Sequence, residues 1–429
     1  MIINFSITNF GPIKDKQTLS FEADKSTHLE DNYVIEKNGV RLLKVALIYG
    51  TNASGKTTIL KALDFLRELV LEPKEKKNDV LDFEPFLFDT KTPTSNSLLS
   101  IEFLQNNIKY YYEVEFNKKA ILREQLDFYS PRKANVFKRT TNLGHQFTEI
   151  EFGGKIEVDK TFHKILEANT LWNNIVLGGF TKTNIDINEL KEVTEWFQSY
   201  LSPVILPNSN LKLFITSLLY ESKISKKDVI NILNRADFNI TDIIIEKNEE
   251  DIPSSLMEFL ETQTAQEELD KLKSQGKITS LDLQFEHTVN STSYNLPFNL
   301  ESQGTKRYYG FAGLLSLLID KSVAFSIDEL ETSLHPDLYR HFILLFLQNN
   351  EKSQLIVTTH NREILNEKDI FRDDAVWITD KSDTDCATKL YSLADFDTSV
   401  IRDTTNRFNA YKSGKLGGIP NLGDIYITK

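Results

Sequence analysis

Strict alternation of apolar and polar positions governs the first third of the chain, and a helical period governs the middle. Ile3, Phe5 and Ile7, followed by Leu19 and Phe21 beyond Phe10-Gly11-Pro12-Ile13, predict an opening β-hairpin around a Gly-Pro turn. The unbroken apolar run 45–49 predicts a buried strand. After a glycine-bounded break, Ile59, Leu60, Leu63, Leu66 and Leu69 predict an amphipathic helix that closes near Val70 and Leu71, ahead of Pro73. Alternation returns over 98–129, through Leu99, Ile101 and Phe103, then Tyr110, Tyr112, Val114 and Phe116, then Leu122, Leu126 and Phe128. Turns at Gln105-Asn106-Asn107 and Asn117-Lys118-Lys119 make this an antiparallel meander, with a weaker strand signal continuing to Phe152. Past Gly153-Gly154 the spacing lengthens to that of helices, as in Leu190, Val193, Trp196, Phe197 and Tyr200, or Leu211, Phe214, Ile215, Leu218 and Leu219. No heptad is sustained, so no long coiled coil is expected. Strands are expected again at 281–289 and 294–298. The pattern predicts an α/β protein with a discontinuous main domain, 1–155 and 280–429, interrupted by a mainly helical insertion, 156–279.

Composition narrows the class. At 429 residues, with 40% hydrophobic and 26% charged residues, the chain is long enough for a large core and ordinary for a globular protein. No apolar run approaches the ~20 residues a bilayer demands, and the start lacks the basic and apolar regions of a signal peptide. One cysteine, Cys386, excludes an intrachain disulfide and a cysteine-based zinc cluster. A cytoplasmic protein without a membrane partner is expected. The net charge of −12 argues against a protein that coats nucleic acid, while leaving room for a local basic groove and some nucleic-acid contact.

Chemistry concentrates first in Gly50-Thr51-Asn52-Ala53-Ser54-Gly55-Lys56-Thr57-Thr58, the G-x-x-x-x-G-K-[ST] pattern between a strand and a helix. Gly50, Asn52, Ala53, Ser54 and Gly55 form a loop whose backbone N–H groups can cradle phosphate oxygens, and the helix starting at Lys56, Thr57 and Thr58 adds its positive end. Lys56 can reach the β- and γ-phosphates, and the Thr57 hydroxyl can hold Mg²⁺. A strand-to-helix turn without a ligand is the plain alternative. The full pattern favours a nucleoside triphosphate, ATP, with Mg²⁺.

Four later features follow in order. Ser302 and Gly304, in Glu301-Ser302-Gln303-Gly304-Thr305, precede a helix with Phe311, Leu314, Leu315 and Leu318, where a hydroxyl and N–H groups can meet a phosphate. A simple serine N-cap explains the same residues. Val323-Ala324-Phe325-Ser326-Ile327-Asp328-Glu329 is a buried strand delivering two carboxylates, Asp328 suited to the metal and Glu329 to the attacking water. Leu330-Glu331-Thr332-Ser333-Leu334-His335-Pro336 is a short turn before another helix. Finally, the strand 354–358 ends at Thr359-His360. If it lies beside the strand of Asp328, it aims His360 at the γ-phosphate.

Together these motifs resemble the ATP-binding-cassette ATPases, and within them the branch that includes SMC, RecN and OLD proteins. The likeness spans the P-loop, a degenerate signature at 300–305, a Walker B strand, a D-loop at 330–336 and a switch histidine. It also takes in the opening 3–12. The tail Lys412-Ser413-Gly414-Lys415-Leu416-Gly417-Gly418-Ile419-Pro420, with Tyr391-Ser392-Leu393 and Asp395-Phe396, is similar to a bacterial family of compact AAA ATPases with OLD-type heads that act in anti-phage abortive infection. The resemblance implies an ABC-ATPase head, with a RecA-like P-loop lobe and an antiparallel β lobe. It also implies a homodimer, or a higher homo-oligomer built from ATP-sandwiched dimers, in which the signature of one chain closes on ATP held by the other. Such families work beside a separate effector protein, here expected to be a nuclease. The signature lacks the double glycine of transporters, and Gln105 is the best available Q-loop glutamine although a turn suits it as well.

Gly55 and Asp328 lie much further apart in sequence than in small P-loop GTPases or kinases, which favours a cassette with an insertion. An SMC- or RecN-like DNA repair ATPase, a transporter nucleotide-binding subunit and a scaffold that does not hydrolyse ATP remain as alternatives. Asp383-Thr384-Asp385 could suggest a metal-dependent nuclease centre, but a hairpin turn between 375–379 and 389–393 accounts for it with ordinary turn residues.

Overall fold

The computed structural model describes residues 1–251, 277–361, 365, 367, 369–396, 409, 411 and 416–418. Of the tail motif, 412–415, 419 and 420 lie outside these residues, as does all of 252–276 within the expected insertion. The described elements run β1 (Ile2–Thr8), β2 (Gln17–Ser20), α1 (Glu30–Tyr33), β3 (Val34–Lys37), β4 (Val40–Leu43), β5 (Val45–Gly50) and α2 (Lys56–Leu71). Then come β6 (Ser97–Gln105), β7 (Ile108–Phe116), β8 (Ile121–Tyr129), β9 (Lys133–Asn142), β10 (Phe147–Phe152), α3 (Lys160–Asn169), α4 (Val176–Phe180), α5 (Asn188–Ser199), α6 (Leu211–Tyr220) and α7 (Lys226–Arg235). The remainder are β11 (Asp242–Asp251), β12 (Lys277–Val289), β13 (Thr292–Pro297), α8 (Gln303–Asp320), β14 (Ala324–Ile327), α9 (Pro336–Asn349), β15 (Gln354–Thr359), β16 (Val376–Lys381) and β17 (Thr388–Ser392). They fall into two compact units, one of 1–207, 318–332 and 343–429, the other of 208–317 and 333–342.

Two sheets organise the first unit. One has seven antiparallel strands in the order β10-β9-β8-β7-β6-β1-β2, the other five in the order β14-β15-β5-β16-β17. β14, β15, β5 and β16 run parallel, and β17 returns antiparallel to β16. The alternating meander becomes β6–β8 with its aromatic faces inward: Phe103, Tyr110, Tyr112 and Phe116 are all fully buried. Its turns at Asn106 and Asn107 take positive φ, which asparagine tolerates, and this places Gln105 at a turn opposite Ile108. Both faces of the parallel sheet are covered, so β5, β14 and β15 are apolar runs rather than alternating ones, each buried along its length.

Gln354, at the head of β15, ties the two sheets together. Its Nε2 donates to the carbonyls of Ile2 (2.9 Å) and Leu43 (3.1 Å), while its Oε1 accepts from the Ile2 N–H (2.6 Å) and the Tyr200 hydroxyl (2.9 Å). A buried amide with all these partners fixes one sheet's register on the other. Phe10, Phe65, Phe83 and Phe116 cluster with ring centroids 4.8–5.6 Å apart, holding the 9–12 turn against α2. On α5, Trp196 stacks on Phe103 at 4.0 Å, the burial its helical spacing predicts.

In the second unit, α8 and α6 approach closely because Gly310 and Gly313 have no side chains. A Cβ there would stand 2.6 Å from Leu211 and 2.4 Å from Ile215. Phe311, Leu314 and Leu315 are buried as expected, but Phe214 of α6 is 45% exposed, since the buried stripe follows Leu211, Ile215 and Leu219 instead. The stretch 156–279, read as helical, also holds β11. Its Ile243-Ile244-Ile245 run pairs with β12 in a three-stranded antiparallel sheet, β11-β12-β13. Three β-branched residues in a row favour a strand over a short helix, and no helical period interrupts them. The compact units also divide that stretch differently from the sequence boundaries, with α3–α5 in the first unit and α6, α7 and β11 in the second. The described residues include no helix long and apolar enough to cross a membrane.

Candidate nucleotide site

The site lies where β5, β14 and β15 end together. β15 sits between β14 and β5, as expected, so Asp328, His360 and the P-loop emerge side by side. β5 turns at Gly50 into a loop that uses positive φ at Ala53 (62°) and Gly55 (99°). Then α2 begins at Gly55 without a side-chain cap, which leaves first-turn N–H groups for an anion. An open cleft of about 490 Å³ is lined by Pro12, Asn52, Ala53, Ser54, Gly55, Lys56, Thr57, Thr58, Glu329 and His360.

Lys56 is 5% exposed, and its Nζ donates to the carbonyls of Gly50 (3.0 Å) and Thr51 (2.9 Å). Burial draws its pKa below the usual lysine range, while Asp328, Glu329 and Glu331 pull it back up. Burial is the larger of the two effects, and the carboxylates offset part of it. The Thr57 hydroxyl lies 3.0 Å from both Asp328 oxygens, and the Thr358 hydroxyl donates to Asp328 Oδ1 at 2.6 Å. A hydroxyl and a carboxylate held together are hard oxygen donors. They fit Mg²⁺, which keeps the rest of its shell for water and phosphate.

Glu329 is at φ 47°, a backbone state a glutamate adopts only when held there; its N–H donates to Thr358 Oγ1 at 2.9 Å. Its carboxylate accepts from Thr332 Oγ1 at 3.3 Å and stands 3.6 Å from His360 Nε2. The other ring nitrogen, Nδ1, is 3.4 Å from Lys56 Nζ, so the imidazole stands between the lysine and the second carboxylate. Glu331 Oε1 accepts the backbone N–H of His360.

Gly50, Asn52, Ala53, Ser54, Gly55, Lys56, Thr57, Thr58, Asp328, Glu329 and His360 thus converge within the first unit. Ser302 and Gly304 belong to the second. There Ser302 Oγ accepts the Thr305 N–H (3.0 Å), the N-cap arrangement that was the plain reading of that serine. Asp383-Thr384-Asp385 occupies the turn between the antiparallel strands β16 and β17, so the hairpin reading holds. Among the described residues no group of three or more histidine, cysteine, aspartate or glutamate side chains could hold a metal. Sequence reasoning placed Glu331 within the D-loop turn and Pro12 within the opening turn without giving either a role at the cleft, and it missed Thr358. Thr358 offered a faint signal, a hydroxyl next to the end of an apolar strand in Val357-Thr358-Thr359-His360.

A strand-to-helix phosphate loop, a strand of the same sheet that ends in two carboxylates and a histidine just past the strand between them define a P-loop nucleotide site of the AAA kind. The fold is α/β, a RecA-like P-loop lobe with an antiparallel β lobe and inserted helices. A family profile described as "AAA domain, putative AbiEii toxin, Type IV TA system" matches residues 45–175 and 181–366, and the chain belongs to that family. Solved structures with distant likeness include an SMC head bound to the C-winged helix domain of ScpA (13% identity, TM-score 0.44), covering 91% of this chain and 97% of that one. An SMC head domain from Thermotoga maritima matches at 11% identity and TM-score 0.41, covering 91% and 98%. An SMC head from Pyrococcus furiosus with an extended coiled coil, bound to the C-terminal domain of ScpA, matches at 12% and 0.40, covering 91% and 96%. Comparison with curated proteins found no match.

Proposed function

We propose that this chain binds and hydrolyses ATP with Mg²⁺, dimerises on ATP, and uses the nucleotide cycle to control a separate effector, a nuclease, in cytoplasmic anti-phage defence. The observation that carries the reading is the convergence of Lys56, Thr57, Asp328, Glu329 and His360 on one cleft beside an uncapped helix start. Bound Mg²⁺ would supply charge neutralisation for the phosphates. Lys56 would leave its loop carbonyls for the β- and γ-phosphates, Thr57 and Asp328 would hold the metal, and Glu329 would orient and deprotonate water. His360, between Lys56 and Glu329, would sense the γ-phosphate.

The dimer half of the proposal rests on Ser302 and Gly304, taken as the signature that completes a partner's site. Mixing Lys56→Ala chains with Ser302→Arg chains should restore activity, since each homodimer is dead while the mixed dimer keeps one site free of both changes. About half the wild-type turnover per dimer, one intact site of two, is expected in an ATPase assay; verified mixed dimers with none would remove the shared-site model.

Regulation follows from what the described residues offer: ATP chemistry, and no second metal-ligand grouping. Hydrolysis must then act through differing partner affinity in two nucleotide states. The family's description as a toxin system supports a multi-component arrangement, and equally a second reading in which the chain is itself the harmful component. Expression alone, and then with the neighbouring gene, separates the two. Phage restriction and nucleic-acid cleavage only in the pair support the effector model; growth arrest by this chain alone supports the toxin.

A further inference from the structure

The P-loop is gripped from behind by the β16–β17 hairpin. Thr379 of β16 and Thr388 of β17 are fully buried, at 0% and 1% exposure. Thr379 Oγ1 donates to the Tyr49 carbonyl at 3.0 Å and lies 2.6 Å from Ser54 Oγ. Thr388 Oγ1 donates to the Ser54 carbonyl at 2.9 Å, and its backbone N–H donates to the carbonyl of Pro12 at 2.8 Å. The two P-loop glycines are required by these hydroxyls. A Cβ on Gly50 would stand 2.1 Å from Thr379 Oγ1, and one on Gly55 would stand 2.5 Å from Thr388 Oγ1.

The consequence follows from the trans peptide. Within one peptide plane the carbonyl of a residue and the N–H of the next point in opposite directions. Drawing the Ser54 carbonyl onto Thr388 therefore turns the Gly55 N–H the other way, away from the hairpin. The Tyr49 carbonyl on Thr379 fixes the Gly50 N–H likewise. The hairpin is itself braced: the Gly418 N–H donates to Asp380 Oδ1 at 3.0 Å, and the Tyr391 hydroxyl donates to the Leu416 carbonyl at 2.7 Å. A braced support can hold a loop in shape; a free one would move with it.

We propose that Thr379 and Thr388 are positioning residues that preorganise the P-loop for triphosphate, a role resting on the ATP-binding reading above. Neither side chain lines the cleft, so both act through Tyr49 and Ser54. Losing either hydroxyl removes a hydrogen bond that fixes the peptide after Tyr49 or after Ser54, so more of the loop's ordering must be supplied by the nucleotide.

The test compares Thr379→Val, Thr388→Val and the rescuing Thr379→Ser and Thr388→Ser in the full chain. MgATP affinity is read by calorimetry, and KM and kcat by steady-state hydrolysis. The expected result is a rise of about tenfold in Kd and KM for each valine variant, a free-energy change of ~1.4 kcal/mol. The expected kcat stays within about twofold, and both serines restore wild-type affinity. Valine variants that fold, by circular dichroism, and bind MgATP as wild type does would overturn the proposal, as would a loss confined to kcat. Should Thr379→Val not fold, Thr388→Val, on the edge strand β17, decides alone. If the wild-type chain binds no MgATP, the ATP reading itself fails; if wild type and valine variants bind equally, only the positioning role does.

Discussion

Glu329→Gln is expected to bind MgATP and turn it over ~10²-fold or more slowly, the usual consequence of removing one positioned general base. The variant is isosteric, so it keeps the backbone bond to Thr358 Oγ1 and can still meet Thr332. What it removes is the carboxylate facing the cleft beside His360. Affinity should hold because Lys56, Thr57 and Asp328 are untouched. Single-turnover hydrolysis with pre-bound ATP separates the two quantities. A wild-type rate would show that Glu329 does not act on water, and a lost affinity would show that it holds nucleotide instead.

Arg139→Met is the second large effect, on stability rather than chemistry. Arg139 is 1% exposed in the antiparallel lobe and faces Glu124, 2% exposed, directly across β8 and β9. Its guanidinium donates to the carbonyls of Ile121 (2.7 Å), Asn174 (3.1 Å) and Trp172 (3.3 Å), and to Thr148 Oγ1 (3.1 Å). Glu124 accepts from the Tyr112 hydroxyl (2.7 Å) and the Val176 N–H (2.8 Å), so the pair pins the 172–176 segment to the sheet. Burial pushes the Glu124 carboxyl up to about 7, although Arg139 and its hydrogen bonds pull it down. Methionine fills similar volume but takes a donor from three carbonyls, of which Ile121 keeps the Thr141 hydroxyl and Trp172 keeps the Ile121 N–H, and it leaves the carboxylate without its counter-charge. A loss of ~3–5 kcal/mol is expected near neutral pH.

The loss should depend on pH in a definite direction. Without Arg139 the folded-state pKa of Glu124 rises further above its unfolded value. Such a group stabilises the fold fully below the unfolded pKa and loses that contribution as pH rises through the folded one. Urea unfolding should therefore show a larger deficit for Arg139→Met at pH 8 than at pH 5.5. A deficit under ~1 kcal/mol, within the range of ordinary surface changes, or one that grows toward acid, would mean that the pair contributes no such pinning.

The amino-acid sequence by itself determined the elements whose period is strong and the loop whose chemistry is local. The alternation of Phe103, Tyr110, Tyr112 and Phe116 and the Gly50–Thr57 pattern needed no distant information, since both are fixed by neighbouring residues. Ile243-Ile244-Ile245 escaped because its strand depends on β12, a partner more than thirty positions away in register, such as Asp242 with Glu286. Phe214 escaped because which side of α6 is buried depends on glycines in α8. Only the tertiary structure decided what stands behind the P-loop. Thr379 and Thr388 are ordinary strand residues in sequence, and their hydroxyls become significant only because β16 lies beside β5 and β17 folds back toward Pro12. Thr358 and Glu331 were hidden for the same reason. A hydrogen bond to a backbone atom across a sheet has no spacing rule, so the groups that hold a reactive residue in place are set by strand order rather than by any pattern along the chain.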